Sequence, residues 1–152
     1  MMNAKNISLF QQAYEYAKVP IIISLFLTPI RYCLEFIGLP DYAIFLIGLL
    51  WLTLGFAIYL GMKIYKSNHA IILMIMSLLI FSPISRIPVA ILWWVDTKWE
   101  IGTHYGLYFN NFGQALFNQV IYGSLVQIIP AFILGIITIA IMKKKYGLIV
   151  NT

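Results

Sequence analysis

The chain holds only two arginines, Arg31 and Arg86, and each is followed along its own segment by a carboxylate, Glu35 and Asp96. A guanidinium donates two parallel hydrogen bonds from a fixed planar fork, which makes it the side chain best matched to phosphate or carboxylate. At about 1.5 Å of helical rise per residue, Arg31 lies about 20 Å beyond Lys18, and Arg86 about 24 Å beyond Ala70. Packing of the two segments would bring both guanidiniums and both carboxylates to one depth. Arg31, Glu35, Arg86 and Asp96 are therefore the candidate ligand-binding residues, and the ligand they suit is a lipid headgroup or a polyprenyl phosphate. The competing reading carries equal weight. In it both arginines extend to the headgroups of a surrounding membrane, and Arg31 simply pairs with Glu35 one turn away.

Around Arg86 the chain reads Ser82-Pro83-Ile84-Ser85-Arg86-Ile87-Pro88. Each proline removes a backbone donor and disturbs the helix that contains it. A broken helix presenting Arg86 would make a ligand site, whereas an ordinary proline kink is the preferred expectation. Asp96 and Glu100 stand four apart, so a helical turn would put both carboxylates on one face as an acid/base pair or cation site. Lys98 between them argues instead for a solvated loop. Glu100 and His104 are thus weaker candidates, with Tyr105, Tyr108 and Asn110 near the histidine.

His69 and His104 fall on opposite sides of the expected topology, and Cys33 is the only cysteine, so no metal site is assembled. No P-loop, G-x-G-x-x-G, G-x-S-x-G or D-x-x-D motif occurs. No cofactor is expected and no catalytic residue can be named, so the reading leans away from an enzyme. A lipid-modifying enzyme working through His104, Asp96 or Glu100 ranks last.

The elements that must position these residues are membrane spans. Apolar residues make up 62% of the 152 residues and charged residues only 10%, with a mean hydropathy of +0.90. A soluble domain carries about 25% charged residues, so a soluble enzyme and a disordered chain are both excluded. The hydrocarbon core of a bilayer is about 30 Å thick and needs about 20 helical residues. Four spans are expected, near residues 19–37, 43–62, 70–92 and 120–142. The fold class is an all-α, four-helix membrane protein forming one domain over residues 1–152.

Ahead of the first span, Ile7, Phe10, Tyr14 and Ala17 recur at helical spacing, which suits an amphipathic helix lying in the interface. An aromatic-rich loop over residues 96–119 faces the other side, and Asn111 followed by Gln114 marks a helix start inside it. Lys5, Lys18, Lys63, Lys66 and Lys143 to Lys145 share one side with both termini. Glu35, Asp41, Asp96 and Glu100 lie opposite, with Arg31, Arg86 and Lys98. By the positive-inside rule both termini are cytoplasmic, in a plasma membrane whose simplest setting for so small a protein is the bacterial inner membrane.

No cleavable signal is evident, and the Asn6-Ile7-Ser8 sequon would be cytoplasmic and unused. The net charge of +5 does not imply nucleic acid, because the basic residues flank apolar spans. The expected partners are membrane lipids. Small residues offer a second reading, an accessory or immunity-type subunit packing against another membrane protein or a second copy. Gly48 and Gly55 mark a stripe on the second span, and Ala131 and Gly135 a small step on the fourth. Gln127 inside the fourth span is expected to hydrogen-bond to a neighbouring helix.

Overall fold

A computed structural model describes residues 8–106 and 108–147. The first helix, α1, runs from Leu9 to Phe36 and starts at Ser8, whose hydroxyl accepts a hydrogen bond from the Gln11 N–H at 3.2 Å. It is one continuous helix through Pro20 and Pro29. The expected separate interfacial helix is thus corrected: its residues are the first turns of α1. Phe10 and Tyr14 face outward, Ile7 and the Asn6 end of the sequon lie outside the described residues, and the buried stripe is Ala13, Ala17, Pro20, Ser24, Thr28 and Tyr32. Small side chains decide that choice, because they let α1 lie close against a neighbouring helix. The Ser77 hydroxyl reaches the Ala13 carbonyl at 3.2 Å across that contact.

The chain leaves α1 through Gly38, whose φ of +84° places it in the left-handed region that glycine tolerates, so the Leu39 N–H can return to the Leu34 carbonyl at 3.0 Å. Two pieces follow, α2 (Asp41–Leu46) and α3 (Leu49–Ile64), separated at Ile47 and Gly48. The expected second span is therefore present with one break inside it, reaching from Tyr42 to Ile64. Gly48 is extended (φ −126°, ψ 149°), and a Cβ on it would sit 3.2 Å from the Phe45 carbonyl.

Helix α4 (Ala70–Trp99) shows the reverse. It continues through Pro83 and Pro88, so the possible break around Arg86 does not occur. Neighbouring helices α1 and α3, together with the last long helix over Ser124–Gly147, pack on α4 and hold it in line. It also runs past the expected limit near residue 92, which places Asp96 in its last helical turns and not in a loop.

The connection that follows is correspondingly shorter than 96–119. A single 3-10 turn at His104–Gly106 precedes α5 (Phe112–Phe117), a π-helical stretch (Asn118–Gly123) and α6 (Ser124–Gly147). Asn111 caps α5 as expected, accepting from the Gln114 N–H at 2.9 Å.

Among the described residues, four stretches are long and apolar enough to cross a membrane: Leu9–Phe36, Tyr42–Ile64, Ala70–Trp99 and Phe112–Tyr146. Among the described residues there is no strand. α4 is central, packed by α1, α3 and α6, and Phe56, Leu60, Leu73, Met74, Leu78 and Phe81 fill the core between them. Ile22, Phe26, Leu125, Ile129, Ile133 and many other large apolar side chains stay exposed on the outer faces. So broad an apolar exterior suits lipid and not water.

Candidate functional site

Arg31 on α1 and Arg86 on α4 line one cavity, at the end of the bundle away from the start of α1 and the end of α6. Its volume is about 220 Å³, far more than the roughly 10–15 Å³ that one water needs. Leu27 and Thr28 of α1, the Ile47–Gly48 break, the first turn of α3, and Tyr105 and Gln119 complete the wall. The Arg86 Nη1 donates to the Gln119 Oε1 at 3.2 Å. The Nε atoms of both arginines are buried and have no partner, as is the Thr28 hydroxyl. Among the described side chains, neither guanidinium has a carboxylate partner.

The two carboxylates of the expected cluster are engaged elsewhere. Glu35 pairs with the His104 imidazole and accepts the His104 backbone N–H at 2.5 Å, so the pairing of Arg31 with Glu35 does not form. Asp96 is buried, 3% exposed, and its Oδ1 accepts from the Thr103 N–H at 3.0 Å, the Thr103 hydroxyl at 2.7 Å and the Tyr32 hydroxyl at 3.4 Å. Three donors to one carboxylate oxygen offset the cost of burying its charge. Glu100 is exposed, in a left-handed conformation (φ 48°) that ends α4, so it forms no carboxylate pair with Asp96. The expectation of a solvated loop therefore fails for Asp96 and holds for Glu100.

These contacts tie the turn at residues 103–106 to the ends of α1 and α4. Gly106 is required there, because a Cβ on it would lie 2.1 Å from the Asp96 Oδ2. Tyr105 packs edge-on against Tyr32, with centroids 5.4 Å apart, and closes one side of the arginine cavity. Burial pushes its phenol above the ordinary value of 10, and the nearby Arg31 charge opposes that rise. It therefore stands in the wall as a neutral hydroxyl. His104, a weaker candidate, borders the same cavity but remains half exposed.

Several residues of the site could not be read from spacing. Gln119 and Gly123 face Arg86 from the π-helical stretch, a form that recurs at functional sites and has no clear sequence signal. A Cβ on Gly123 would come within 3.3 Å of the guanidinium carbon, so the absent side chain is what lets Arg86 approach. Gly48 carries a signal in hindsight, as a glycine in a run that is otherwise strongly apolar. Pro83 and Pro88 leave α4 helical, and the irregular backbone lies across the cavity at Ile47 and Gly48. Such backbone persists at membrane depth where it is buried or lines a cavity.

The small-residue positions divide. Gly135 is spent inside the chain, since its Cβ would meet the end of Met74 at 2.6 Å, whereas a Cβ on Gly55 would meet nothing within 4 Å. Gln127 is fully buried and accepts the Ser82 hydroxyl of α4 at 2.5 Å, as expected. Among the described residues no group of histidine, cysteine and carboxylate side chains could hold a metal ion. No family model matches this chain, and no curated protein or solved structure matches it significantly.

Proposed function

We propose that this protein is a small multi-pass membrane protein that binds an anionic, phosphate-bearing ligand through Arg31 and Arg86. The observation that carries the reading is the pair of buried, unpartnered Nε atoms on two guanidiniums that line one cavity. Half-buried cations without counter-ions carry a desolvation cost, and an anion between them would offset it while accepting the free Nε donors. The carboxylates that could have neutralised them are held by His104 and by Thr103 with Tyr32. The first turn of α3, which has no side-chain cap, lines the same cavity and adds favourable N–H dipoles.

Lys98 alone of the described lysines stays at the arginine end, and Lys18, Lys63, Lys66 and Lys143 to Lys145 lie at the opposite end. By the positive-inside rule that end is cytoplasmic, in a plasma membrane, and the arginine cavity opens on the outer side. Binding is the proposed activity, and no reaction is assigned to the site.

Arg86→Gln tests this. A charge-assisted contact of this type contributes about 1.5–3 kcal/mol, so the variant should bind an anionic lipid roughly 10–100-fold more weakly while keeping its helical content. Unchanged affinity for phosphatidate in native mass spectrometry would overturn the reading.

A further inference from the structure

We infer that the ligand of the arginine cavity is an amphiphile whose hydrocarbon chain lies in the groove between α1 and α3. This rests on the arginine reading above and names the ligand class. The groove holds about 430 Å³ and is walled by Val19, Pro20 and Ile23 from α1 and by Leu52, Gly55 and Phe56 from α3.

Trp51 borders both spaces, the arginine cavity above and the apolar groove below. On α1 the change from one to the other takes a single turn, from Leu27 in the cavity wall to Ile23 in the groove wall. The two are therefore consecutive sections of one track, charged at the arginines, apolar through its middle and bordered at its far end by Glu15 and Lys63. From Arg31 to Val19 the track covers about 18 Å at 1.5 Å per residue. That is a little over half of a hydrocarbon core about 30 Å thick, the depth reached by one leaflet's chains.

Gly55 is the device that keeps the groove open. It is exposed, and a side chain there would meet no atom of the protein within 4 Å, so glycine is not needed for helix packing at this point. A larger residue would project into the groove and occupy the path of the chain. A free phosphate would use the arginines alone and leave this apolar section without a role. The occupant is accordingly a lipid with a phosphate headgroup.

The test uses the full chain, delipidated in detergent, with C16-chain phosphatidate as the probe and inorganic phosphate as the competitor. Native mass spectrometry should show one phosphatidate retained per chain, at least tenfold less in Gly55→Leu, and a similar loss in Arg86→Gln. Phosphatidate brominated on its chains should quench a saturable part of the tryptophan fluorescence, and that part should vanish in Trp51→Phe. The quenching uses an unaltered groove, so it stands even if the leucine variant misfolds. Wild-type retention by Gly55→Leu, or no quenching assignable to Trp51, overturns the groove and leaves the arginine site standing. Wild-type retention by Arg86→Gln overturns the arginine site itself. Complete displacement by millimolar inorganic phosphate would make the ligand a free anion and overturn the lipid assignment.

Discussion

Glu35 closes on His104, from the connection after α4, and leaves Arg31 one helical turn away on its own helix without a carboxylate. An i, i+4 pair within α1 would have been the local solution, and its strength on an exposed helix is only about 0.2–0.5 kcal/mol. The long-range pair gains a backbone contact as well, because Glu35 also takes the His104 N–H. The choice fastens the turn at residues 103–106 over the bundle and keeps the arginine cavity positive.

The first prediction follows from that division of labour. Glu35→Gln should lower stability by no more than about 1 kcal/mol, since the His104 side of the pair is 44% exposed. Its main effect should be faster hydrogen exchange at the amides of His104 to Gly106, with anionic-lipid affinity kept. A loss of affinity as large as that of Arg86→Gln would place Glu35 in the binding site and contradict the assignment made here.

Gly106 and Asp96 supply the second. A Cβ at 2.1 Å from the carboxylate cannot be accommodated without moving either the turn or Asp96. Overpacking of this kind costs about 1–3 kcal/mol. Gly106→Ala should therefore lower the unfolding midpoint in detergent, and the double variant with Asp96→Ala should lose less than the two single losses added together. Strict additivity across that double-mutant cycle would mean that the two residues are not in contact.

How far the sequence disclosed this arrangement depends on the range of the interaction. The four apolar stretches and the Asn111 cap are local, carried by run length and by a side chain three residues from its partner. Convergence of Arg31 and Arg86 followed from the depth of each along its helix, given that α1 packs on α4. Partner choice was not legible, because Glu35 could reach either Arg31 locally or His104 through tertiary structure. The break at Gly48 was not legible either, for a related reason. Pro83 and Pro88 weaken a helix in isolation, yet α4 is held on several sides, while the second segment breaks at Gly48, where the backbone lines the arginine cavity. In the first turns of α1, the expected apolar face of Phe10, Tyr14 and Ala17 is buried only at Ala17, and close helix contact adds Ala13 in place of the two aromatics.

The third prediction concerns pH. Burial holds the folded Tyr105 pKa above its ordinary value of 10, so the unfolded chain releases this proton first as pH rises. Between the two values the folded state binds more protons, and stability must fall with increasing pH. The contribution is fully present below about pH 10 and is lost as pH rises through the folded value. Comparing unfolding midpoints from about pH 9 to pH 12 should show a steeper fall in the wild type than in Tyr105→Phe. Parallel curves for the two proteins would mean that Tyr105 titrates as an ordinary exposed phenol.

The contact between α3 and α6 gives the last prediction, which separates packing glycines from the open one. A Cβ on Gly61 would lie 2.9 Å from the Thr138 Cβ and 3.1 Å from the Gly135 carbonyl oxygen. Neither atom belongs to the free end of a flexible side chain, so the helices themselves would have to separate. The Cβ of Gly135 meets the end of Met74 at 2.6 Å, and an unbranched thioether can move aside. Gly55 faces no atom at all, and an alanine there would gain up to about 1 kcal/mol of helix propensity. The expected order of melting temperatures in detergent is therefore Gly55→Ala at or above wild type, then Gly135→Ala, then Gly61→Ala lowest. A Gly61→Ala protein as stable as Gly55→Ala would show that α3 and α6 do not pack at this distance. The order also matters for the lipid track, because only a groove-facing position can be filled without loosening the bundle that holds the two arginines together.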